Sequence, residues 1–208
     1  MALDESLERL SELLPEREPE FWATLNPPVL ASDLDALRGL LDPYELHDEL
    51  VALLRWHDGQ HDSKYNEGAW PVIECGPLNS ALGACEFYKL HNYWAESIEV
   101  GRWSASWVPL MHVRHSVAAV EMAKPLDGLV IDASFGEPKP RPVALSLAAV
   151  MQAICVLVEE GFPLRRAPGE ALTAKRWLER ENLIRPFQAV YSGGLMRRAQ
   201  FIEQARLS

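Results

Sequence analysis

Leucines spaced three and four apart organise the first third of the chain. Leu7, Leu10, Leu13 and Leu14 share one helical face behind Asp4, a suitable cap, and Pro15 is expected to close that helix. The run PEREPE reads as a charged connector. Leu25-Asn26-Pro27-Pro28 must then be extended, because two successive prolines fix φ and exclude the α region for the residue before each. Leu34, Leu37, Leu40 and Leu41 predict a second helix capped by Ser32 or Asp33. Asp42-Pro43 ends it and is expected to open a third. There Leu50, Leu53, Leu54 and His57 fall on one face, and Gly59 supplies the left-handed residue on which such helices stop. A buried helix thus delivers Trp56, His57, Asp58, Gln60, His61 and Asp62 to a surface loop.

Beyond Gly59 a polar loop, QHDSKYNEG, leads to Trp70-Pro71-Val72-Ile73-Glu74, a short strand or strand edge bounded by Gly76-Pro77. Residues 80–98 read as a helix capped by Asn79 or Ser80, with Leu82, Cys85, Tyr88 or Lys89, and Trp94 loosely at helical spacing. From Trp103 the pattern changes. SWVPLMHV, SVAAVEM, GLVIDASF and Val143-Ala144-Leu145 are β-rich runs joined by short connections, which favour antiparallel pairing. Ser146 caps a strongly apolar helix that Gly161 stops, its inward face being Leu147, Val150, Met151, Ile154, Leu157 and Val158. The fold class is α+β: a mainly antiparallel sheet flanked by helices, with a helical C-terminal extension. The organisation divides as residues 1–24, an N-terminal helix and connector; 25–161, the main domain; and 162–208, an extension with candidate helices over 171–183 and 195–207 and arginines outside.

Length and charge narrow the function. A chain of 208 residues with 48% hydrophobic content buries a sizeable core without disulfides or metal. Cys75, Cys85 and Cys155 are odd in number and lack CxxC spacing, so they read as small apolar fillers. The longest apolar run, Leu145 to Val158, is too short for a bilayer, and the start is acidic and amphipathic where a secretory leader is basic and apolar; a cytoplasmic protein is expected. The net charge of −10 is uneven: residues 1–50 hold 13 acids and 3 bases, residues 151–208 hold 6 acids and 9 bases. That balance disfavours nucleic acid and favours encounter with a basic protein.

HDGQHD offers imidazole and carboxylate ligands of the kind zinc or iron sites use. Gly59, however, interrupts the helix that would hold His57 and His61 on one face, and no third ligand is positioned by the pattern. GxSxG, GxxxxGK[ST] and GxGxxG are absent, so neither a serine nucleophile nor a phosphate loop is indicated, and no cofactor is expected. Seven tryptophans are candidate interface anchors. Trp70 and Trp103, at loop–strand junctions, suit that role best.

In order along the chain stand LNPP, a capped amphipathic helix, a second helix ending WHDGQ, a WP strand, WVPL, VAAVEM, a DG turn, GLVID and a serine-capped helix ending EEG. This pattern resembles the SMI1/KNR4 family, or SUKH superfamily, over roughly Leu25 to Gly161. Asn26-Pro27-Pro28 matches the entry motif, Trp56, Gly59 and Gln60 the helix-end motif, and Trp107, Pro109 and Gly128 the sheet motifs; Glu121 departs, standing where the family more usually has aspartate. The resemblance implies a non-enzymatic protein-binding domain, in bacteria often an immunity protein that neutralises a secreted toxin by binding it, in fungi a regulator of cell-wall synthesis. On this reading the partner-binding residues are Asp58, Gln60, His61, Asp62, Trp70 and Trp103, and the partner is a basic toxin. A regulatory scaffold and a metal-dependent hydrolase built on HDGQHD are the alternatives.

Overall fold

The computed structural model describes residues 2–61, 77–97, 103–113, 116–133, 140–164 and 174–187. The leucine pattern produces α1 (Leu3–Arg17), α3 (Ala31–Leu41) and α4 (Asp48–Trp56), with a short α2 (Pro19–Trp22) between the first two. Pro15 does not close α1, which runs through it to Arg17. A proline near the end of a helix forfeits one backbone bond. Here the last turn is held from outside: the Arg17 guanidinium donates to the carbonyls of Val158 and Glu159 at 3.2 and 2.7 Å. Nor does Asp42-Pro43 open α4. The chain turns there, Tyr44 N–H donating to Leu41 O, and the helix begins five residues later with His47 as cap, its Nδ1 accepting from Glu49 N–H at 3.3 Å.

α5 (Ala81–Ser97) follows, then β1 (Trp107–Val113), β2 (Ser116–Glu121), β3 (Val130–Asp132) and β4 (Arg141–Ala144), and then α6 (Leu147–Glu159) and α7 (Ala174–Ile184), which ends in a 3₁₀ turn over Arg185–Phe187. The strands form one antiparallel meander in the order β1-β2-β3-β4, so the architecture is α+β. Alternation along the strands sends Val108, Ala118, Val120 and Val130 into the main core, and Trp107, Ala119 and Ile131 into a smaller cluster with Leu129.

The main core joins the leucines of α1 and α4 to α6 and to Phe162, Leu164 and Ile184, so it crosses both boundaries read from the sequence, at 24/25 and 161/162. α6 has the expected face and cap: Ser146 Oγ accepts from Ala149 N–H at 3.1 Å, and Gly161 takes φ +71°. α7 differs in one respect from the expectation of outward arginines. Arg180 is buried, beside Glu181 at 2.9 Å, and the Arg176 guanidinium lies 4.1 Å from the centre of the Phe162 ring. No helix among the described residues is long and apolar enough to cross a membrane.

Candidate functional site

The turn after α4 sits where four segments meet. His57 is extended, Gly59 takes φ +74°, and between them the chain reverses against Asn26 and Pro27. Asn26 N–H donates to Gly59 O and its side-chain amide to Asp58 O at 2.8 Å, while Asp58 N–H donates to Pro27 O. Two prolines leave their carbonyls in need of donors, and the loop supplies one. Gln60 then forms a rung between neighbours. Its backbone pairs with Leu25 and donates to Leu78 O, its Nε2 donates to Thr24 Oγ1 at 2.8 Å, and its Oε1 accepts from Leu78 N–H at 3.0 Å. Leu78 bridges Met111, Asn79 N–H donates to Leu110 O, and the Asn79 side chain donates to Pro109 O. The outer edge of β1 is thus continued by single rungs through Leu78, Gln60 and Leu25, which covers backbone groups that an edge strand otherwise leaves open.

Asp58 faces inward to the same junction. Its Oδ1 accepts from Ala81 N–H at 2.6 Å, at the first residue of α5, where Ser80 Oγ also accepts from Gly83 N–H. Two side chains therefore cap one helix, and one comes from a residue distant in sequence. Burial raises the Asp58 carboxyl above its ordinary value, the Ala81 N–H opposes that rise, and the charge of Asp33 adds to it. Because this carboxylate is partly desolvated, Asp58→Asn is expected to stay within about 0.5 kcal/mol of the parent, while Asp58→Ala loses about 1 kcal/mol with the cap. Urea denaturation separates the two. Equal losses would mean that the negative charge, rather than the acceptor oxygen, is what the α5 terminus uses.

The structure thus places two of the residues read as partner contacts, Asp58 and Gln60, in internal hydrogen bonds. His61 follows with an exposed side chain, its backbone N–H donating to Thr24 O. Asp62 and Trp70 lie outside the described residues, as does the WP strand. Trp103 is half-buried, stacked on His91 at 4.4 Å and set edge-on to Trp107 at 5.5 Å. Trp103 belongs to a group the sequence pattern does not single out. His91, on α5, is buried, with His112 of β1 at 5.6 Å and Trp94 at 5.5 Å, and His112 packs on Phe87 at 4.1 Å. Burial, reinforced by the His112 charge, pushes the His91 imidazole down to about 4.

The other residues that carry the family-like pattern are also scaffold. Trp56 Nε1 donates to Ser11 Oγ at 2.7 Å and fixes the end of α4 on α1. Trp107 Nε1 donates at 2.8 Å to Glu121, directly opposite it in the register, and the other Glu121 oxygen accepts from Ala123 N–H. The longer glutamate side chain at this position reaches both donors from a buried site. Gly128, at φ +87°, leaves room for the His47 ring, which an added Cβ would meet at 2.7 Å.

The outer surface of the described residues is rich in acids. Asp4, Glu5, Glu8, Glu12, Glu16 and Glu20 are exposed along α1 and α2, and Asp35, Asp42, Glu45 and Asp48 are exposed further on. Arg9 is shared between Glu12 and Glu159. Glu49 is taken inside, its carboxylate accepting from Ala148 N–H at the start of α6. Among the described residues no group of three or more His, Cys, Asp or Glu side chains is placed to hold a metal ion. No protein-family profile matches this chain, and no curated protein matches it.

Proposed function

We propose that this chain is a non-enzymatic binding protein of the SMI1/KNR4 type, an immunity-like protein that neutralises a basic toxin by covering its active surface. One observation carries the reading: ten of the 13 acids in residues 1–50 stand exposed, most of them on the helices, while the loop residues with chemical potential, Asp58 and Gln60, are used in holding the fold together. A surface of one sign steers a partner of the other sign and sets its orientation before close contact. The likeness to the family adds support, since Asn26, Trp56, Gly59, Gln60, Trp107, Pro109 and Gly128 each have a definite scaffolding role.

The test begins by capturing partners from the native host on the purified chain and on a Glu8→Gln, Glu12→Gln, Glu16→Gln variant. A basic protein retained by the parent is expected to associate several-fold more slowly with the variant at low salt, the two rates converging near physiological salt, where the Debye length is about 8 Å. Expressed alone that protein should arrest growth, and co-expression of this chain should relieve the arrest. Capture that ignores both charge and salt, by a protein whose toxicity this chain does not relieve, would overturn the reading. Capture of a harmless cellular protein would favour a regulatory scaffold instead.

A further inference from the structure

The outward side of α5 carries two of the five large apolar side chains that are exposed among the described residues, Leu82 and Tyr93. Its buried positions are Ala81, Ala84, Cys85, Tyr88 and His91, and its exposed positions are Leu82, Glu86, Lys89 and Tyr93. The exposed set steps by four, three and four residues, so at 100° per residue it lies within about 60° of arc and spans about 16 Å of helix. Both ends of the stripe are large and apolar, with Leu82 50% and Tyr93 64% exposed. Its middle holds one acid and one base, and neither makes an ion pair among the described residues.

We propose that this stripe is a two-fold interface with a second copy of the same chain. The stripe is complementary to itself when reversed. A two-fold axis between Glu86 and Lys89, with the two helices antiparallel, sets Leu82 against the partner's Tyr93 at each end, and Glu86 against the partner's Lys89 twice in the middle. An isologous contact requires this pattern, in which residue i meets j and j meets i. Parallel pairing would instead set glutamate on glutamate and lysine on lysine. A partner of uniform charge would meet one favourable and one unfavourable residue, so the stripe favours a second copy over the basic ligand of the acidic helices. A three-turn stripe lies at the small end of specific interfaces, which need about 1,000 Å² in total. The dimer is therefore concentration-dependent rather than obligate.

Sedimentation velocity on the full chain, from low to high micromolar concentration, tests this. The mass should rise from 23.4 kDa toward twice that value. Glu86→Lys alone and Lys89→Glu alone should each weaken association by about tenfold or more, since each sets like charges together twice. The double variant carrying both changes should associate like the parent, and so should an equimolar mixture of the two single variants. All four positions are exposed, and thermal melts matching the parent would show that the variants are folded. A parent that stays monomeric throughout, single variants that associate like the parent, or a double variant that fails to recover would each overturn the proposal.

Discussion

Replacing Gly59 by alanine is expected to lower the unfolding free energy by about 3 kcal/mol or more, and the melting temperature by about 10 °C. Two costs combine. At φ +74° an L residue brings its Cβ against the following carbonyl, a penalty of about 1–2 kcal/mol. The new Cβ would also stand 2.4 Å from Ser80 N and 2.5 Å from Asn79 C, backbone atoms that cannot swing aside as a side chain can. Relief requires residues 79–80 to retreat, which loosens the bonds from Asn79 to β1 and from Ala81 to Asp58. Gly161 is the internal control. It has nearly the same φ, +71°, and a methyl group added there would meet nothing within 4 Å, so Gly161→Ala should lose only the conformational part. Circular dichroism melts of the two variants compare the costs directly. Equal losses would show that the close approach of residues 79–80 contributes nothing.

The contrast between these glycines shows what the sequence conveys. Both read as helix stops, but only Gly161 is one, directly after the last residues of α6; α4 ends at Trp56 with His57 already extended, off the helical face assigned to it, and Gly59 serves the turn beyond. That Gly59 also lies against a distant backbone depends on a contact 20 residues away, which no local pattern encodes. The same holds for Asp58: its type and position suggest a ligand or a contact, whereas its partner is the first N–H of α5. Elements with strong periodicity are legible, as with α6, whose cap, face and stop all follow from Ser146, the spacing of its apolar residues and Gly161. On α5 periodicity misleads. Leu82 has the greater hydropathy, but Ala81 and Ala84 are the residues small enough for the helix to lie close to its neighbours, and Leu82 is left outside. The Trp107–Glu121 pair becomes visible only once the register of β1 on β2 is known, because strand partners 14 residues apart could equally slip by one and face opposite sides. His91 is hidden for a similar reason. Its place on α5 is readable, but not that Trp103 and His112 arrive from other segments to enclose it.

That enclosure gives the protein a defined response to acid. An unfolded chain protonates His91 near 6.5, whereas in the fold its imidazole stays neutral down to about 4. Between those values the unfolded state binds the extra proton and the folded state does not, so unfolding becomes easier as pH falls. The contribution of this residue is complete above pH 6.5 and disappears progressively as pH drops toward 4, by on the order of 3 kcal/mol across the window. Burial is the main cause, since an imidazolium among the rings of Trp94 and Trp103 would forfeit its hydration; the nearby His112 charge adds to the cost. His91→Phe keeps a flat ring against Trp103 and removes the titration. Carboxylates also titrate in acid, but they are common to both proteins, so the difference between the two stability curves isolates the histidine. Urea unfolding of parent and His91→Phe at pH 7.5, 6, 5 and 4 is the measurement. The parent should lose stability relative to the variant only below about pH 6.5, and parallel curves from neutral to acid would show that the fold accepts a charged imidazole at this position.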